Sequence, residues 1–307
     1  MVREMAPEEL DSFLSSRFFA ACEMGSRFRS EIEDVGRWLE LSARYESWLD
    51  RKDTPKTAIP KTVHQIWIGG ELPAKYEGFA RSWVALNPDF EYRLWNEAAI
   101  ANMLDERVAG IFEKTVNFGA KSDIARYAIL EKFGGVYADT DFECLKPIGP
   151  LAERTSFFAG VTVDTSPQIM NSIMGASAGH PFLRALLESL EEPLRSDKGR
   201  DVLHSTGPFF LSREFFECRA ASGDFDIVLP TKVFYPFPSQ ARYRRYESSE
   251  EIKRRYHREE ALAIHYWEVS WQDKETNLIV AAKRFVKRVI FWKRLEPILR
   301  RSLRRRR

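Results

Sequence analysis

Two aspartates separated by one residue, in the sequence Tyr137-Ala138-Asp139-Thr140-Asp141, have the type and spacing to bind a metal ion. In an extended chain every second side chain points to the same side, so we expect both carboxylates on one side of the backbone. Such a pair suits one hard divalent cation, Mn²⁺ or Mg²⁺, and leaves ligand positions for phosphate oxygens. The cation would stabilise charge on a diphosphate whose bond to a sugar breaks. Alone, Asp-x-Asp is a weak motif, because it also occurs in turns and on solvated faces.

The elements predicted around this pair strengthen the hypothesis of a functional site. Ser122 is a suitable N-cap for a helix that runs to Lys132 and ends at Gly134-Gly135, where glycine commonly terminates helices. A short apolar strand is predicted from Val136 to Asp139. The acidic pair therefore follows a helix and a strand, which is a typical position for a site at the edge of a sheet.

Asp123 and Arg126 are neighbours on one face of the predicted helix. One interpretation is a surface ion pair beside the N-cap. The other is that both side chains extend over the sheet edge, with Arg126 directed to a phosphate and Asp123 to a sugar hydroxyl. The neighbouring motifs favour the second interpretation.

After Pro60, strand-like and helix-like segments alternate along the sequence. This alternation predicts an α/β fold with a largely parallel sheet. Apolar residues at helical spacing in residues 1–52 predict two or three helices, and the proline-punctuated segment 52–60 marks a boundary. We predict a helical N-terminal cap at 1–58, a catalytic domain at 59–275 and a basic amphipathic helix at 276–307. Strands are predicted at 62–68, 90–95, 136–139, 157–163, 173–176, 227–229 and 262–265, and helices ending near 86 and spanning 122–132, 181–194 and 208–219.

The composition is that of a soluble globular protein, with 307 residues, 44% hydrophobic and 30% charged. No segment approaches the roughly 20 apolar residues of a membrane span, and the N-terminal segment lacks the apolar stretch of a secretory signal. The three cysteines are widely spaced, which argues against a disulfide framework and a cysteine zinc site. These observations predict a cytoplasmic protein.

The net charge of +2 conceals a strongly basic C-terminal segment. Residues 283–307 contain 12 Lys and Arg and one Glu, so they carry +11 and the rest of the chain carries −9. Apolar and aromatic residues at helical spacing among these cations are typical of a helix in an anionic lipid interface. The alternative is a helix that packs on the body of the protein, and both remain open. The acidic body disfavours nucleic acid as a partner.

Two longer strings resemble glycosyltransferase family 32, the group with a DXD sugar-binding region, and the catalytic domain of the large clostridial glucosylating toxins. They are IPKTVHQIWIGG at 59–70 and FGAKSDIARYAILEKFGGVYADTDF at 118–142. The resemblance implies a GT-A-type fold, that is, a Rossmann-like mixed sheet flanked by helices. It also implies a metal-dependent enzyme with a nucleotide-sugar donor.

The resemblance also implies roles for individual residues. Trp67, next to Ile66, matches the tryptophan that stacks on the nucleotide base, although a buried core tryptophan is the alternative. Asp139 would contact the ribose and the sugar, and Asp141 would be the direct metal ligand. The other expected contacts of the donor in this part of the chain are Ser122, Asp123, Arg126, Tyr137 and Ala138.

Three later segments extend the resemblance. Asn171 would line the sugar pocket, and Thr206-Gly207 resembles a family turn that opens a helix near the donor. In the segment from Ala263 to Trp271, His265 would approach the metal or the pyrophosphate, and Ser270 and Trp271 would contact the donor, with Trp271 at the leaving oxygen. A lone histidine near a strand end is more often structural. The implied catalytic residues are Asp139, Asp141, Arg126 and Trp271.

The function implied is transfer of a hexose from a UDP- or GDP-linked donor to a glycan, lipid-linked or protein acceptor, with retention of configuration expected from the resemblance. The basic segment would hold the enzyme as a peripheral protein on the inner face of the membrane, which suits the synthesis of polysaccharide precursors. One alternative is a HAD-type phosphatase, which also uses Asp-x-Asp, although Glu143 departs from its pattern. The other is a non-catalytic module that binds sugar nucleotides or glycans.

Overall fold

The computed structural model describes residues 16–22, 35–163, 167–191, 194, 201–218, 223–243 and 248–268. These residues form a sheet that is flanked by helices on both faces. The α-helices are α1 (Arg17–Ala21), α2 (Val35–Asp50), α3 (Ala74–Leu86), α4 (Glu97–Met103), α5 (Glu106–Lys114), α6 (Phe118–Phe133), α7 (Gly149–Arg154), α8 (Pro181–Glu188), α9 (Val202–Ser205), α10 (Pro208–Glu217), α11 (Thr231–Phe234) and α12 (Ser249–Arg255). The strands are β1 (Thr62–Ile66), β2 (Glu91–Trp95), β3 (Gly135–Ala138), β4 (Phe142–Cys144), β5 (Phe157–Thr162), β6 (Gln168–Ala176), β7 (Asp226–Leu229) and β8 (Ala263–His265).

Six of these strands form a mixed sheet in the order β2-β1-β3-β6-β5-β7. β1 pairs in parallel with β2 and β3, and β5 pairs in parallel with β7. β6 runs antiparallel to both of its neighbours, β3 and β5. β4 and β8 form a separate antiparallel pair. The fold class predicted from the sequence is therefore confirmed: a mixed, largely parallel sheet with helices on both faces.

The alternation of side chains along the strands divides the core between the two faces of the sheet. On β3, Tyr137 faces the cluster that contains Ile124 and Tyr127 of α6, whereas Val136 and Ala138 face the cluster that contains Trp83 of α3. All six side chains are buried. Because both faces of the strand are covered, β3 is apolar along its whole length, which is the sequence pattern of a central strand.

The central helix α6 begins earlier than the sequence predicted. Its N-cap is Asn117, whose side chain accepts hydrogen bonds from the amides of Gly119 (2.8 Å) and Ala120 (3.2 Å). Ser122 therefore lies inside the helix, and the prediction that it caps the N-terminus was wrong. Asn is as good an N-cap as Ser, so side-chain preference did not distinguish the two positions.

The predicted C-terminus of α6 is confirmed. The helix ends before Gly134, which has a φ of 63°. A Cβ at this position would lie 2.6 Å from the amide nitrogen of Ala178, so both the backbone conformation and the close packing require glycine.

Two N-terminal helices, α1 and α2, fall within the described residues. Helix α2 packs against the sheet domain: the Trp48 indole donates to the carbonyl of Arg154 at 2.9 Å, and Trp38 is buried in a core cluster with residues of α6. The proposed division at residue 58 remains a prediction, and residues 276–307 lie outside the described residues. Among the residues that the structure describes, no helix is long and apolar enough to cross a membrane.

His64 on β1 is fully buried and held as a neutral imidazole. Its Nε2 donates to the carbonyl of Gly134 at 2.9 Å, and its Nδ1 accepts from the indole of Trp95 at 3.1 Å. This pairing uses one donor and one acceptor, so it fits the neutral tautomer with the proton on Nε2. Burial lowers the pKa of His64 from 6.5 to about 4.

We expect the free energy of unfolding to fall as the pH decreases from 6.5 through 4, because the unfolded chain then binds a proton that folded His64 rejects. At pH 5 this single group should cost about 2 kcal/mol of stability. Urea denaturation of the wild type and of His64→Gln at pH 7 and pH 5 measures the effect. The variant should lose less stability than the wild type between these pH values. An equal loss would contradict the prediction, and exposed His204→Gln is the matched control.

Candidate functional site

The acidic pair lies in a tight turn between β3 and β4, at the carboxyl end of β3. Strand β3 ends at Ala138, and the amide of Phe142 donates to the carbonyl of Asp139 at 3.0 Å, which closes the turn. The amide of Asp139 donates to the carbonyl of Ser172 on β6 at 2.8 Å. Asp139 and Asp141 therefore converge because the chain turns, and not because they alternate along a strand as the spacing suggested.

His265 joins the two aspartates through the small β4–β8 sheet. Its partner in the register is Phe142, and the two rings stack with centroids 4.4 Å apart. The His265 Nε2 lies 3.1 Å from an Oδ1 of Asp141. One potential ligand atom from each of Asp139, Asp141 and His265 lies within 4.8 Å of the others. The structure thus brings together all three residues predicted to surround a metal.

This donor set fits a divalent cation. Two carboxylates and an imidazole supply oxygen and nitrogen ligands that Mn²⁺ accepts, whereas Mg²⁺ favours oxygen ligands alone. The Nε2 of His265, 3.1 Å from Asp141, is the ring nitrogen that faces this carboxylate, and the buried Nδ1 has no hydrogen-bond partner among the described residues. Asp139 and Asp141 also repel each other: burial raises the pKa of Asp139, and the Asp141 carboxylate adds to that rise. A cation between the two carboxylates would relieve this repulsion.

Arg126 connects the acidic turn with a second carboxylate on α6. Its guanidinium lies 3.1 Å from Asp139 and 3.2 Å from Asp123, and it also donates to the carbonyl of Asn171 at 2.9 Å. The Arg126 and Asp123 side chains are only 6% and 7% exposed. The pair is therefore buried, so the interpretation of a surface ion pair is wrong. Removing one partner of a buried pair commonly costs about 3–5 kcal/mol, because the other charge is left uncompensated.

Tyr137 completes the surroundings of Asp139. Its hydroxyl donates to Oδ1 of Asp139 at 2.6 Å, and the guanidinium of Arg126 lies 4.6 Å from the centre of its ring. The arginine thus makes an ion pair with Asp139 and a cation–π contact with the neighbouring aromatic ring. These contacts fix one carboxylate oxygen of Asp139, and the side chain remains 27% exposed.

Asp123 is fully hydrogen-bonded inside the protein. Its Oδ1 accepts from the side-chain amide of Asn171 at 2.8 Å, and its Oδ2 accepts from the hydroxyl of Thr206 at 2.8 Å. Burial raises the pKa of Asp123 to about 6, although the positive charge of Arg126 opposes this rise. The structure therefore brings together the four sequence-predicted residues Asp123, Arg126, Asn171 and Thr206, which come from three separate segments of the chain.

Tyr127 belongs to this network and was missed by the sequence reasoning. Its hydroxyl accepts from Asn171 at 2.9 Å and donates to the carbonyl of Thr206 at 2.6 Å. The sequence could have indicated Tyr127, because it lies one turn after Asp123 and therefore on the same face of the helix. The hydroxyl of Tyr235, 2.9 Å from the Ser172 hydroxyl, was also missed, and no local pattern singles it out.

The other predicted contacts of the donor are placed as follows. Trp67 is half-buried at the carboxyl end of β1, where its ring centroid lies 5.2 Å from that of Tyr76. It is therefore not a fully buried core residue. Ser122 is half-buried and accepts from Arg126 through its carbonyl at 3.2 Å. The remaining residues are Ile66 and Ala138, both buried in the core, Gly207 at the N-cap of α10, and Ser270 and Trp271, which lie outside the described residues.

Comparison with known proteins agrees with this site. Residues 73–158, which contain both aspartates and Arg126, match the family described as glycosyltransferase sugar-binding region containing DXD motif. The resemblance to this family that the sequence predicted is confirmed for this part of the chain.

The curated relatives include named mannosyltransferases. Inositol phosphoceramide mannosyltransferase 3 of Schizosaccharomyces pombe is 33% identical over 166 residues, covering 50% of this chain and 44% of the relative. Mannosyl phosphorylinositol ceramide synthase SUR1 of Saccharomyces cerevisiae is 31% identical over 163 residues, covering 50% of this chain and 41% of the relative. The match thus spans less than half the length of these two relatives.

Solved structures that match this chain include one described as a glycosyltransferase and one described as the catalytic domain of a toxin. The PaToxG glycosyltransferase has a TM-score of 0.47 at 18% identity, covering 61% of this chain and 82% of that chain. The catalytic domain of alpha-toxin from Clostridium novyi has a TM-score of 0.46 at 12% identity, covering 94% of this chain and 97% of that chain.

We expect Mn²⁺ to bind the wild-type chain, and Asp141→Asn to raise the dissociation constant at least about tenfold, because a neutral amide is a weaker ligand than a carboxylate. Titration with Mn²⁺ followed by the electron paramagnetic resonance signal of the free ion measures this constant. The melting temperature without metal should stay close to that of the wild type. Asp53→Asn, at an exposed position, is the matched control. Equal affinities of Asp141→Asn and the wild type would exclude Asp141 as a ligand.

Proposed function

We propose that this chain is a metal-dependent glycosyltransferase that moves a hexose from a nucleotide-sugar donor to an acceptor hydroxyl. The observation that carries this proposal is the convergence of Asp139, Asp141 and His265 beside the buried pair of Arg126 and Asp123. The acidic turn with His265 and Arg126 suits a cation and a diphosphate, and Asp123 suits a sugar hydroxyl. Both lie at the carboxyl end of β3, where ligands bind in open α/β sheets.

A cation held by Asp139, Asp141 and His265 would supply electrostatic stabilisation to the leaving diphosphate. Arg126 contributes a fixed positive charge at the same place, and it is already oriented by Asp139 and the carbonyl of Asn171, so little reorganisation accompanies the reaction. We assign to Arg126 the role of stabilising the departing diphosphate. As the bond from the sugar to the diphosphate breaks, the anomeric carbon becomes electron-poor, the acceptor oxygen bonds to it, and the proton of the acceptor hydroxyl passes to the departing diphosphate. By resemblance, we propose that the configuration is retained.

Asp123 is proposed to orient the sugar. It lies inside the hydrogen-bond network of Asn171 and Thr206, so its carboxylate cannot swing away when a hydroxyl approaches. Trp67 is proposed to stack on the nucleotide base, since it is half-buried and lies at the end of β1. These two side chains would hold opposite ends of the donor, and the acidic turn would hold the diphosphate between them.

We propose mannose as the sugar, because the similar proteins of the two yeasts are named inositol phosphoceramide mannosyltransferase and mannosyl phosphorylinositol ceramide synthase. With Mn²⁺ present, the wild-type chain should hydrolyse GDP-mannose slowly, and faster than UDP-glucose, UDP-galactose or UDP-N-acetylglucosamine. The release of free nucleoside diphosphate measures the rates. Asp141→Asn should reduce the rate at least about 100-fold, because the diphosphate loses its counter-charge.

Two results would contradict the proposal, one from nucleotide binding and one from a phosphatase assay. Nucleotide binding without any turnover would support a non-catalytic binding module. Release of phosphate from a simple phosphomonoester, with no hydrolysis of any nucleotide sugar, would support a HAD-type phosphatase. Asp53→Asn is again the control, because it changes the same type of carboxylate at an exposed position that is distant in sequence from Asp141.

We further propose that the acceptor is presented at a membrane surface, with a lipid-linked acceptor preferred over a free glycan or a protein. The support is the cationic segment 283–307 with its interspersed apolar residues, together with the two yeast relatives whose names refer to ceramide lipids. The association would be peripheral and on the cytoplasmic side.

Deletion of residues 283–307 should abolish binding to vesicles that contain 30% anionic phospholipid, because each basic residue near such a surface contributes about 1 kcal/mol. Co-sedimentation of the wild type and the truncated chain measures binding. Neutral vesicles are the control and should bind neither protein. Retention of the truncated chain on anionic vesicles would contradict the proposal.

A further inference from the structure

Strands β1 and β3 separate at their carboxyl ends, next to the turn that carries the acidic pair. Their pairing covers two residues of each strand and ends with His64 opposite Tyr137. Strand β1 continues to pair with β2 as far as Ile66. The backbone ladder between β1 and β3 therefore stops before it reaches Asp139, which leaves a gap in the backbone pairing next to the site.

The side chain of Gln65 bridges this gap. It is fully buried, and its Nε2 donates to the carbonyl of Asp139 at 3.0 Å. The same carbonyl accepts the amide of Phe142, which closes the turn. On the other flank, the amide of Asp139 donates to the carbonyl of Ser172 on β6. The backbone of Asp139 is thus held by a side chain from β1 and by the main chain of β6.

Tyr92 on β2 determines how the Gln65 amide is oriented. Its hydroxyl donates to Oε1 of Gln65 at 2.7 Å. If the amide rotated by half a turn, its oxygen would face the Asp139 carbonyl and its NH₂ group would face the tyrosine hydroxyl, so the bond to Asp139 would be lost. Burial raises the pKa of Tyr92 to about 12, so the hydroxyl keeps the proton that it donates at neutral pH.

We propose that Gln65 is a positioning residue for the metal-binding turn and that Tyr92 fixes the orientation of its amide. Gln65 acts through the carbonyl of Asp139, because the hydrogen bond joins it to the main chain and leaves the Asp139 carboxylate for the cation. The inference rests on the proposed function, since it concerns how Asp139 and Asp141 are held for a cation. Partners that orient metal ligands commonly change metal affinity by 10–100-fold when they are removed.

The test measures Mn²⁺ affinity in the full chain for the wild type, Gln65→Met and Tyr92→Phe. Methionine keeps the length of the side chain and removes the hydrogen bond. We expect the dissociation constant for Mn²⁺ to rise about tenfold in Gln65→Met and about threefold in Tyr92→Phe. Donor hydrolysis by both variants should recover at saturating Mn²⁺, because the substitutions weaken the affinity of the turn for Mn²⁺ and leave the catalytic step unchanged.

Thr155→Val is the matched control. Thr155 is also fully buried, and its hydroxyl bond to the carbonyl of Leu151 at 2.8 Å lies at the end of α7. This variant should lose stability with a Mn²⁺ affinity within twofold of the wild type, which separates positioning from a general loss of stability. If Gln65→Met does not fold, Tyr92→Phe still decides the question.

The failure of this inference is distinguishable from the failure of the proposed function. If the wild type binds Mn²⁺ and both variants bind it equally well, Gln65 and Tyr92 do not position the turn. A loss of affinity in Thr155→Val equal to that in Gln65→Met would also overturn the inference. If the wild type binds no Mn²⁺ and hydrolyses no nucleotide sugar, the proposed function fails and this inference fails with it.

Discussion

The site depends on the balance of charge around Asp139. Three carboxylates, those of Asp123, Asp139 and Asp141, lie in a small and mostly buried region, and the guanidinium of Arg126 contacts two of them directly. Like charges in such surroundings are costly unless a positive charge lies between them. Arg126 supplies that charge on one side of Asp139. On the other side of Asp139, burial and the Asp141 carboxylate raise the pKa of Asp139, and a cation bound between the two carboxylates would relieve this repulsion.

The rest of the fold can be understood as the support of this arrangement. Helix α6 is buried along most of its length, so Asp123 and Arg126 cannot turn away from the sheet. The reversed strand β6 brings Asn171 and Ser172 to the end of β3, where one contacts α6 and the other binds the acidic turn. The small β4–β8 sheet adds His265. Each element contributes through a hydrogen bond or an ion pair with a buried partner, and such contacts hold ligands in a fixed geometry.

The geometry also separates the two tasks that the site would perform. The Asp123 network is closed, with both carboxylate oxygens bonded to Asn171 and Thr206 inside the protein. Asp139 remains partly exposed, and His265 keeps an unpartnered ring nitrogen within the described part of the chain. The network holds Asp123 rigidly, and its Oδ2, which accepts one hydrogen bond, keeps a lone pair for a sugar hydroxyl, whereas the partly exposed Asp139 suits a cation and the phosphates of a donor.

The sequence alone determined the local features. Apolar patterning, glycine and short motifs act over a few residues. They predicted the strand at 62–68, observed at Thr62–Ile66, the end of the helix at Gly134 and the acidic pair after β3. The start of α6 was misplaced by five residues, because Asn117 and Ser122 are equally suitable caps. The tertiary structure alone decided that the Asp123–Arg126 pair is buried, that Tyr127 joins it, and that Gln65 binds the carbonyl of Asp139. For His265, which is 124 residues from Asp141, only the resemblance predicted a place near the metal. The pairing of β4 with β8 puts it beside that carboxylate, and strand pairing between distant segments leaves no trace in local patterns.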